Sequence, residues 1–259
     1  MAEAFSQNWL LLRGLGRQSA HWGSFVPQLQ TAFPQSVLHA LDLPGFGEFS
    51  HLPSPENMSQ IVDFLRQQAL ARHMLNQPLC LLGLSLGGMV AWQWMQQYPQ
   101  DVAAAVIINS SMADLSPFYQ RLRWQNLGAI GRILCSRDRQ VREQGIVNLV
   151  SNLDQIKRMQ TAAAWVDIDV KQPMRLDRLV NQLRAAAGYR PGTQAPNQPV
   201  LVLNSQGDRL VAPDCSLRIQ QRFGLPLMSH PTAGHDLPLD DGVWLISCLK
   251  AWAAQNGLT

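Results

Sequence analysis

Residues 79–91 read LCLLGLSLGGMVA, and this stretch decides the fold of the chain. Four apolar residues lead into Gly83-Leu84-Ser85-Leu86-Gly87, and an apolar run of helical character follows. The pattern predicts a strand, a sharp turn with Ser85 at its apex, and a helix. Such a turn needs glycines because its backbone is strained and two chain segments pass close together. The G-x-S-x-G spacing therefore predicts a nucleophile elbow; the flanking strand and helix disfavour the alternative, an incidental serine in a glycine-rich turn.

Strand-like and helix-like segments alternate on both sides of this elbow. Apolar runs predict strands at residues 9–12, 36–43, 79–84, 102–109, 200–204 and 225–230. Helical periodicity predicts helices at residues 24–32, 58–75, 87–98, 215–223 and 242–254. This alternation favours the α/β class, with a mostly parallel sheet that helices cover on both faces. Residues 113–187 contain amphipathic segments without a clean strand, so they predict a helical insertion.

The composition indicates a folded protein of ordinary hydrophobicity. The chain has 259 residues, 46% of them hydrophobic, enough for one large α/β domain with an insertion or for two small domains. No apolar run approaches the roughly 20 residues that span a bilayer, and the first eight residues lack the features of a signal peptide. The four cysteines have neither metal-binding nor redox spacing. We therefore expect a reduced, cytoplasmic protein without disulfide, metal or membrane segment.

The charge of the chain is unevenly distributed. Residues 112–190 hold 13 Lys/Arg and 7 Asp/Glu, a balance of +6, whereas the rest of the chain carries −3. No nucleic-acid motif or aromatic platform accompanies this basic region, so nucleic acid is not an expected partner. A solvated helical surface is one explanation of the excess charge.

Three residues far apart in sequence are candidates for one catalytic site. A serine becomes a nucleophile only when a base takes its proton, and an acid must orient that base. Asp208 and His235 each follow a predicted strand, on a short loop that contains a glycine. Because the carboxyl ends of parallel strands meet at one edge of a sheet, both can converge on Ser85. Ser85, Asp208 and His235 are therefore the predicted catalytic residues.

Other acidic residues and two amides complete the candidate site. Asp114 is the alternative acid, since it follows the strand predicted at 102–109, whereas Asp236, Asp240 and Asp241 are expected to serve turn and helix-cap roles. An oxyanion needs two preorganised donors. We expect these to be the backbone N–H groups of Leu86, next to the nucleophile, and of Leu15, in the loop after the first strand.

Four motifs carry a resemblance to a known family: LDLPGFG at 41–47, SLGGMVA at 85–91, Gly207-Asp208 and Gly234-His235. With them, most of the chain resembles α/β-hydrolase-fold proteins, and it is most similar to the pimeloyl-acyl-carrier-protein methyl ester esterases of biotin synthesis. The resemblance implies the α/β-hydrolase fold, with a core formed by residues 1–111 and 191–259 and a helical cap at 112–190. It also implies Ser85, Asp208 and His235 as the triad and the Leu15 and Leu86 amides as the oxyanion hole.

The chain departs from that family at three places. Arg13 precedes Gly14 where relatives usually have His-Gly, and Leu84 precedes the nucleophile where the esterases typically carry Trp. Relatives also begin with additional antiparallel strands, whereas here the first predicted strand starts about eight residues into the chain. We therefore expect a shortened sheet edge and a differently shaped acyl pocket.

The resemblance implies a serine hydrolase that cleaves a carboxylic ester through an acyl-enzyme and needs no metal or organic cofactor. The expected substrate is a small-molecule or carrier-linked acyl ester. Two alternatives remain open: a lyase of the menaquinone-pathway type with the same triad, and a catalytically silent ligand receptor. If acyl carrier protein is the partner, its acidic surface would dock on basic residues of the insertion, namely Arg121, Arg123, Arg137, Arg139, Arg142, Lys157 and Arg158.

Overall fold

The structure, a computed structural model, describes residues 7–258. The prediction that no signal peptide is present concerns residues 1–8, so it falls mostly outside this range. Six parallel strands form one sheet in the order β2-β1-β3-β4-β5-β6. Their bounds are β1 Trp9–Leu12, β2 Leu38–Leu41, β3 Leu79–Leu84, β4 Val102–Ile108, β5 Val200–Ser205 and β6 Leu227–His230. Every strand pair within residues 7–258 is parallel, so the antiparallel strands expected of relatives are absent from this part of the chain.

Eleven α-helices accompany the sheet within the described residues. They are α1 Phe25–Ala32, α2 Met58–Ala71, α3 Leu86–Gln97, α4 Phe118–Arg121, α5 Leu127–Cys135, α6 Arg139–Val150, α7 Gln155–Lys171, α8 Leu176–Gly188, α9 Asp214–Phe223, α10 Leu237–Asp240 and α11 Gly242–Gln255. The predicted fold class, a parallel sheet with helices on both faces, is confirmed. None of these helices combines the length and the apolar character that crossing a bilayer requires.

The central strands are apolar at every position because both faces of the sheet are covered. Along β3, Leu79 and Leu81 pack into a core with α2 and α3, whereas Cys80 and Leu82 pack into a second core with α1 and α11. All six residues of β3 are buried. Continuous burial of this kind is typical of parallel sheets and explains the unbroken apolar runs in the sequence.

Three predicted elements end earlier or begin later than expected. Strand β2 covers four residues rather than 36–43, because its neighbour β1 offers four pairing positions and the Asp42 side chain then accepts the N–H of Glu48 (2.9 Å). Helix α2 ends at Ala71 rather than at residue 75, since His73 adopts a left-handed conformation with φ of 55°. Strand β6 begins at Leu227 because the Leu225 N–H is bonded to the C-terminal end of α9.

Between β4 and β5 lies the segment that we call the cap segment, residues 112–190. It contains helices α4 to α8, and all of its residues are described. The two largest helix pairings inside it are α6 with α7 and α5 with α6. The predicted insertion is thus helical, while its treatment as a separate domain with boundaries at 111/112 and 190/191 stays a prediction.

Candidate active site

The elbow places Ser85 in a conformation that few side chains adopt. Ser85 has φ of 57° and ψ of −115°, between the end of β3 and the start of α3. The flanking glycines are required by close approach: a Cβ on Gly83 would overlap the backbone of Gly87, and a Cβ on Gly87 would overlap the Leu12 carbonyl. A strained residue held by its surroundings is a common feature of functional sites.

Neighbouring strands fix the backbone around Ser85. Its N–H donates to the Ile108 carbonyl (2.8 Å), and the Ser110 hydroxyl donates to the Ser85 carbonyl (2.8 Å). The loop after β1 passes directly beside it, since a Cβ on Gly14 would lie 3.2 Å from Ser85 Cβ. This brings Leu15 to the site. Leu86 directly follows Ser85 and begins α3, where N–H groups have no intrahelical acceptor, and Leu15 lines the same cavity as Ser85. The oxyanion role of the two amides stays a prediction.

Asp208 and His235 are paired in the buried interior. His235 Nδ1 donates to Asp208 Oδ2 at 2.7 Å, and the side chains are 6% and 1% exposed. The other carboxylate oxygen accepts the N–H groups of Leu210 (2.7 Å) and Val211 (2.9 Å), which fixes the acid in its turn. Because a carboxylate only accepts, Nδ1 carries the proton of this bond, and Nε2 is the ring nitrogen that takes no part in it. Asp208, rather than the alternative Asp114, is the carboxylate bonded to His235.

One residue that holds this arrangement together was missed by the sequence reasoning. Asn109, at the end of β4, is buried and has φ of 48°. Its amide donates to the His235 carbonyl (2.8 Å) and to the Ser205 hydroxyl (3.0 Å), and its oxygen accepts the Ser205 N–H (2.8 Å). The signal available in the sequence was a polar residue at the end of the apolar run that predicts the strand at 102–109.

Ser85 and His235 open onto one apolar cavity of about 180 Å³. The core supplies its floor, including Leu15 and Leu84, so the residue that replaces the usual Trp does border the cavity. The cap segment supplies most of the remaining wall with apolar side chains, namely Leu122, Ile130, Ile133, Leu134, Ile146, Leu149, Val150, Trp165, Met174, Leu179 and Leu183. A ligand with a hydrocarbon chain would fit this lining, since burying apolar surface is favourable by roughly 25 cal/mol per Å².

The chain was compared with known proteins. The Alpha/beta hydrolase family profile matches residues 9–246, nearly the whole chain. The chain belongs to the alpha/beta hydrolase family. Among solved structures, this hydrolase is similar to an esterase from Thermogutta terrifontis (TM-score 0.74, 19% identity, 96% of this chain and 90% of that chain). It is equally similar to an esterase from Rhodococcus sp. ECU1013 (TM-score 0.73, 19% identity, 98% and 92%). At such identity these neighbours bear on the fold alone.

Curated relatives confirm the resemblance that the motifs predicted. The hydrolase is 35% identical over 108 residues to the pimeloyl-acyl-carrier-protein methyl ester esterase of Edwardsiella ictaluri, covering 42% of this chain and 38% of that protein. It is 32% identical over 111 residues to the enzyme of that name from Aeromonas hydrophila, covering 42% and 41%. The aligned part therefore spans about two fifths of these relatives' length.

Two of the three neighbouring aspartates have structural roles, and one does not fit its prediction. Asp241 caps α11 by accepting the Trp244 N–H (2.9 Å), and Asp240 accepts the Gly234 N–H (2.6 Å) in the turn before His235. Asp236 was expected to serve a turn or cap, and it does occupy the N-cap position of α10, but its carboxylate makes no capping bond and is instead ion-paired with Arg13. The expectation was wrong because the partner lies in the loop after β1, far away in sequence.

A second set of buried polar groups joins the core of the hydrolase to its cap segment. Arg17 Nη1 lies 2.7 Å from Glu143 Oε2 and 2.9 Å from His21 Nε2, and its guanidinium lies over the Trp165 ring. Burial lowers the pKa of Arg17, although Glu143 opposes this effect. Burial, followed by the charges of Arg17 and Arg13, lowers the pKa of His21 well below its usual value. His21 is therefore neutral at physiological pH.

His21 should make the folded state sensitive to acid. The unfolded chain takes up a proton near the ordinary value of 6.5, whereas the folded chain resists it, so stability falls as pH decreases below that value. We expect this residue to account for up to about 1.4 kcal/mol of unfolding free energy per pH unit. Urea unfolding from about pH 7.5 to about pH 5.5 measures the slope. His21→Gln should flatten it, whereas His51→Gln at an exposed position should not; equal slopes in all three proteins would contradict the assignment.

The structure gives most of the predicted docking residues partners within the protein. Arg139 Nε and Arg142 Nη2 both contact Asp169 Oδ2, so much of their charge is offset. The other predicted residues divide into four kinds of environment. Arg121 and Arg123 donate to the carbonyls of Ala186 and Asp208, Lys157 lies 3.6 Å from Asp154, Arg158 is half-buried, and Arg137 is exposed without an ionic partner in residues 7–258.

Proposed function

We propose that this hydrolase is a serine esterase acting through an acyl-enzyme. One observation carries the proposal: Ser85 on its strained elbow and His235, paired with Asp208, border the same apolar cavity. In this mechanism the Ser85 hydroxyl attacks the ester carbonyl, while His235 Nε2 accepts its proton. The N–H groups of Leu15 and Leu86 stabilise the oxyanion. The alcohol departs with that proton, and His235 then activates a water that hydrolyses the acyl-enzyme.

We further propose that the substrate is a methyl ester of an acyl group linked to acyl carrier protein. Both relatives described above are named for such a reaction. The lining of the cavity supports an acyl chain made mainly of methylene groups. The charged side chains of the lining lie near Ser85 and where the core meets the cap segment, and the rest of the lining is apolar. No metal is required by this chemistry, since the serine, its base and the two amides supply every step.

A substrate panel tests the proposal. Purified protein would be given a chromogenic short-chain ester, methyl esters of increasing acyl length, and the methyl ester of pimeloyl-acyl carrier protein. We expect hydrolysis of all three types, with the highest kcat/KM for the carrier-linked ester. Failure to hydrolyse any ester would reject the esterase, and hydrolysis of free but not carrier-linked esters would reject the substrate class. Release of pyruvate from a menaquinone-pathway intermediate would favour the lyase instead.

The charge of the cap segment leads to a prediction about the carrier. Charges at the rim of an interface mainly accelerate encounter and are screened by salt, with a Debye length of about 8 Å at physiological ionic strength. Hydrolysis of the carrier-linked ester should therefore slow as salt rises, whereas hydrolysis of a small neutral ester should not. Replacing Arg139 and Arg142 with glutamate would test the docking charge, but it would also place two further carboxylates beside Asp169. Arg137 and Lys157 are better targets, because both are exposed.

Arg137→Glu combined with Lys157→Glu should lower kcat/KM for the carrier-linked ester by roughly tenfold at low salt. The small ester measures whether the variant remains intact, because its hydrolysis does not involve docking. Arg222→Glu combined with Lys250→Glu, two exposed reversals on α9 and α11 outside the cap segment, is the matched control for charge. If salt and the charge reversals change the hydrolysis of both substrates equally, the docking of the carrier is rejected, and the cap segment is only a solvated surface over the cavity.

A further inference from the structure

Arg13 and Asp236 form a buried ion pair at the Ser85 end of the cavity. Arg13 Nη1 lies 3.2 Å from Asp236 Oδ1, and Nη2 lies 2.5 Å from Oδ2. Each side chain is only 3% exposed, although the residues are separated by 223 positions in sequence. The Arg13 guanidinium also lies 4.8 Å from the centre of the buried Trp22 ring. Two parallel hydrogen bonds of this kind fix orientation as well as distance.

Each partner is the sequence neighbour of a group that the proposed mechanism uses. Arg13 immediately precedes Gly14 and Leu15, the loop that carries one oxyanion donor. Asp236 immediately follows His235, the base. The ion pair thus links two loops whose relative position sets the distance between the base and the oxyanion hole. A shift of about 1 Å between such groups can cost roughly 100-fold in rate.

We propose that Arg13 and Asp236 act together as positioning residues for the base and the oxyanion loop. This inference rests on the proposed esterase function. Removing one partner leaves the other charge buried and unpaired, so the two loops lose the contact that holds them together. Arg13 therefore replaces the family's usual histidine together with a compensating acid at position 236.

Other charged groups also face this region, and they remain constant in the comparison. Asp208 contacts the imidazole directly, and Asp240 lies in the same turn, where burial raises its pKa. Three arginines from surrounding elements border this set, namely Arg17 beside the Arg13–Asp236 pair, Arg209 near Asp208 and Asp240, and Arg123 on the Asp208 carbonyl. None of these residues is altered in the variants below, so a difference between variants reports the ion pair.

Two neutralising variants separate positioning from simple structural support. Asp236→Asn and Arg13→Gln each remove the ion pair, so each should lower kcat for a chromogenic ester by roughly 100-fold and leave KM nearly unchanged. The double variant Arg13→Gln/Asp236→Asn should lose no more than either single variant, because all three lack the same pair. Urea unfolding of each variant measures the fraction of folded protein, so a loss of structure is counted separately.

The surroundings of His235 are also measured without activity, from the NMR resonances of its imidazole at one fixed pH, assigned with His235→Gln. Both single variants should move these resonances. This readout does not need activity, so failure of the esterase proposal and failure of this inference are distinguishable. If Arg13→Gln alone does not fold, Asp236→Asn and the double variant still give the predicted loss. The exposed bidentate pair of Arg72 and Glu48 is the matched control, and Arg72→Gln/Glu48→Gln should leave both readouts unchanged. Losses that add in the double variant, or a kcat and a His235 resonance that Asp236→Asn leaves unmoved, would overturn the proposal.

Discussion

Replacing Ser85 with alanine should lower ester hydrolysis by roughly 10⁶-fold and leave the fold intact. The hydroxyl supplies the bond-forming atom of the acyl-enzyme, and no other hydroxyl occupies the apex of the elbow. Stability should change little, because the contacts that fix residue 85 come from its backbone: the N–H bonded to Ile108 and the carbonyl bonded to Ser110. Turnover of a chromogenic ester and the urea unfolding curve measure the two quantities.

The appropriate comparison is another serine-to-alanine change away from the cavity. Ser247 on α11 is exposed and donates to the Val243 carbonyl of its own helix. Ser247→Ala should therefore match the parent in both measurements. Hydrolysis by Ser85→Ala within tenfold of the parent would remove the elbow from the mechanism and favour a different nucleophile.

Asp208→Asn should reduce turnover by about 10⁴-fold, because an amide in this position favours the wrong tautomer of His235. The hydrogen bonds of Asp208 explain why this substitution changes the tautomer of His235 but not the turn. An asparagine can keep its oxygen towards the N–H groups of Leu210 and Val211, so the turn is retained. Its NH₂ group then faces His235 Nδ1 and donates where the carboxylate accepted. The imidazole must then place its proton on Nε2, so this nitrogen cannot accept the Ser85 proton as the proposed mechanism requires.

Asp114→Asn is the matched control, since it makes the same chemical change at the alternative acid. Steady-state kinetics should show the large loss only for Asp208→Asn. Thermal unfolding of both variants separates a loss of catalysis from a loss of folded protein. A comparable loss from Asp114→Asn, together with a harmless change at Asp208, would reverse the assignment of the acid.

The sequence predicts those parts of the site that depend on local pattern and strand order. The elbow is local, because the spacing of Gly83, Ser85 and Gly87 reflects steric limits within a few residues. Asp208 and His235 could be proposed because each closes a strand of a parallel sheet, and such ends share an edge. This logic requires no knowledge of loop conformation, and the observed contact between the two side chains agrees with it.

Contacts between loops lay beyond the same reasoning. Nothing local to Asp236 indicates Arg13, since the pair forms only after β1 and β6 take their places in the sheet. Asn109 is similar, because its three bonds reach the end of β5 and the loop after β6. The basic excess of the cap segment was visible by counting, but the burial of Asp169 among Arg139 and Arg142 depends on how α6 packs against α7.

The contact between Arg17 and Glu143 has a consequence for how this hydrolase can diversify. It crosses from the loop after β1 to helix α6, and Glu143 is almost fully buried. Removing one member of a buried ion pair costs roughly 3–5 kcal/mol, because the remaining charge is stranded. Recombination that brings in a foreign cap segment without an acid at position 143 would leave Arg17 in an apolar wall. New substrate ranges are therefore expected to arise through paired changes in the loop after β1 and in the cap segment. Chimaeras of this protein should be designed so that Arg17 and Glu143 come from the same parent.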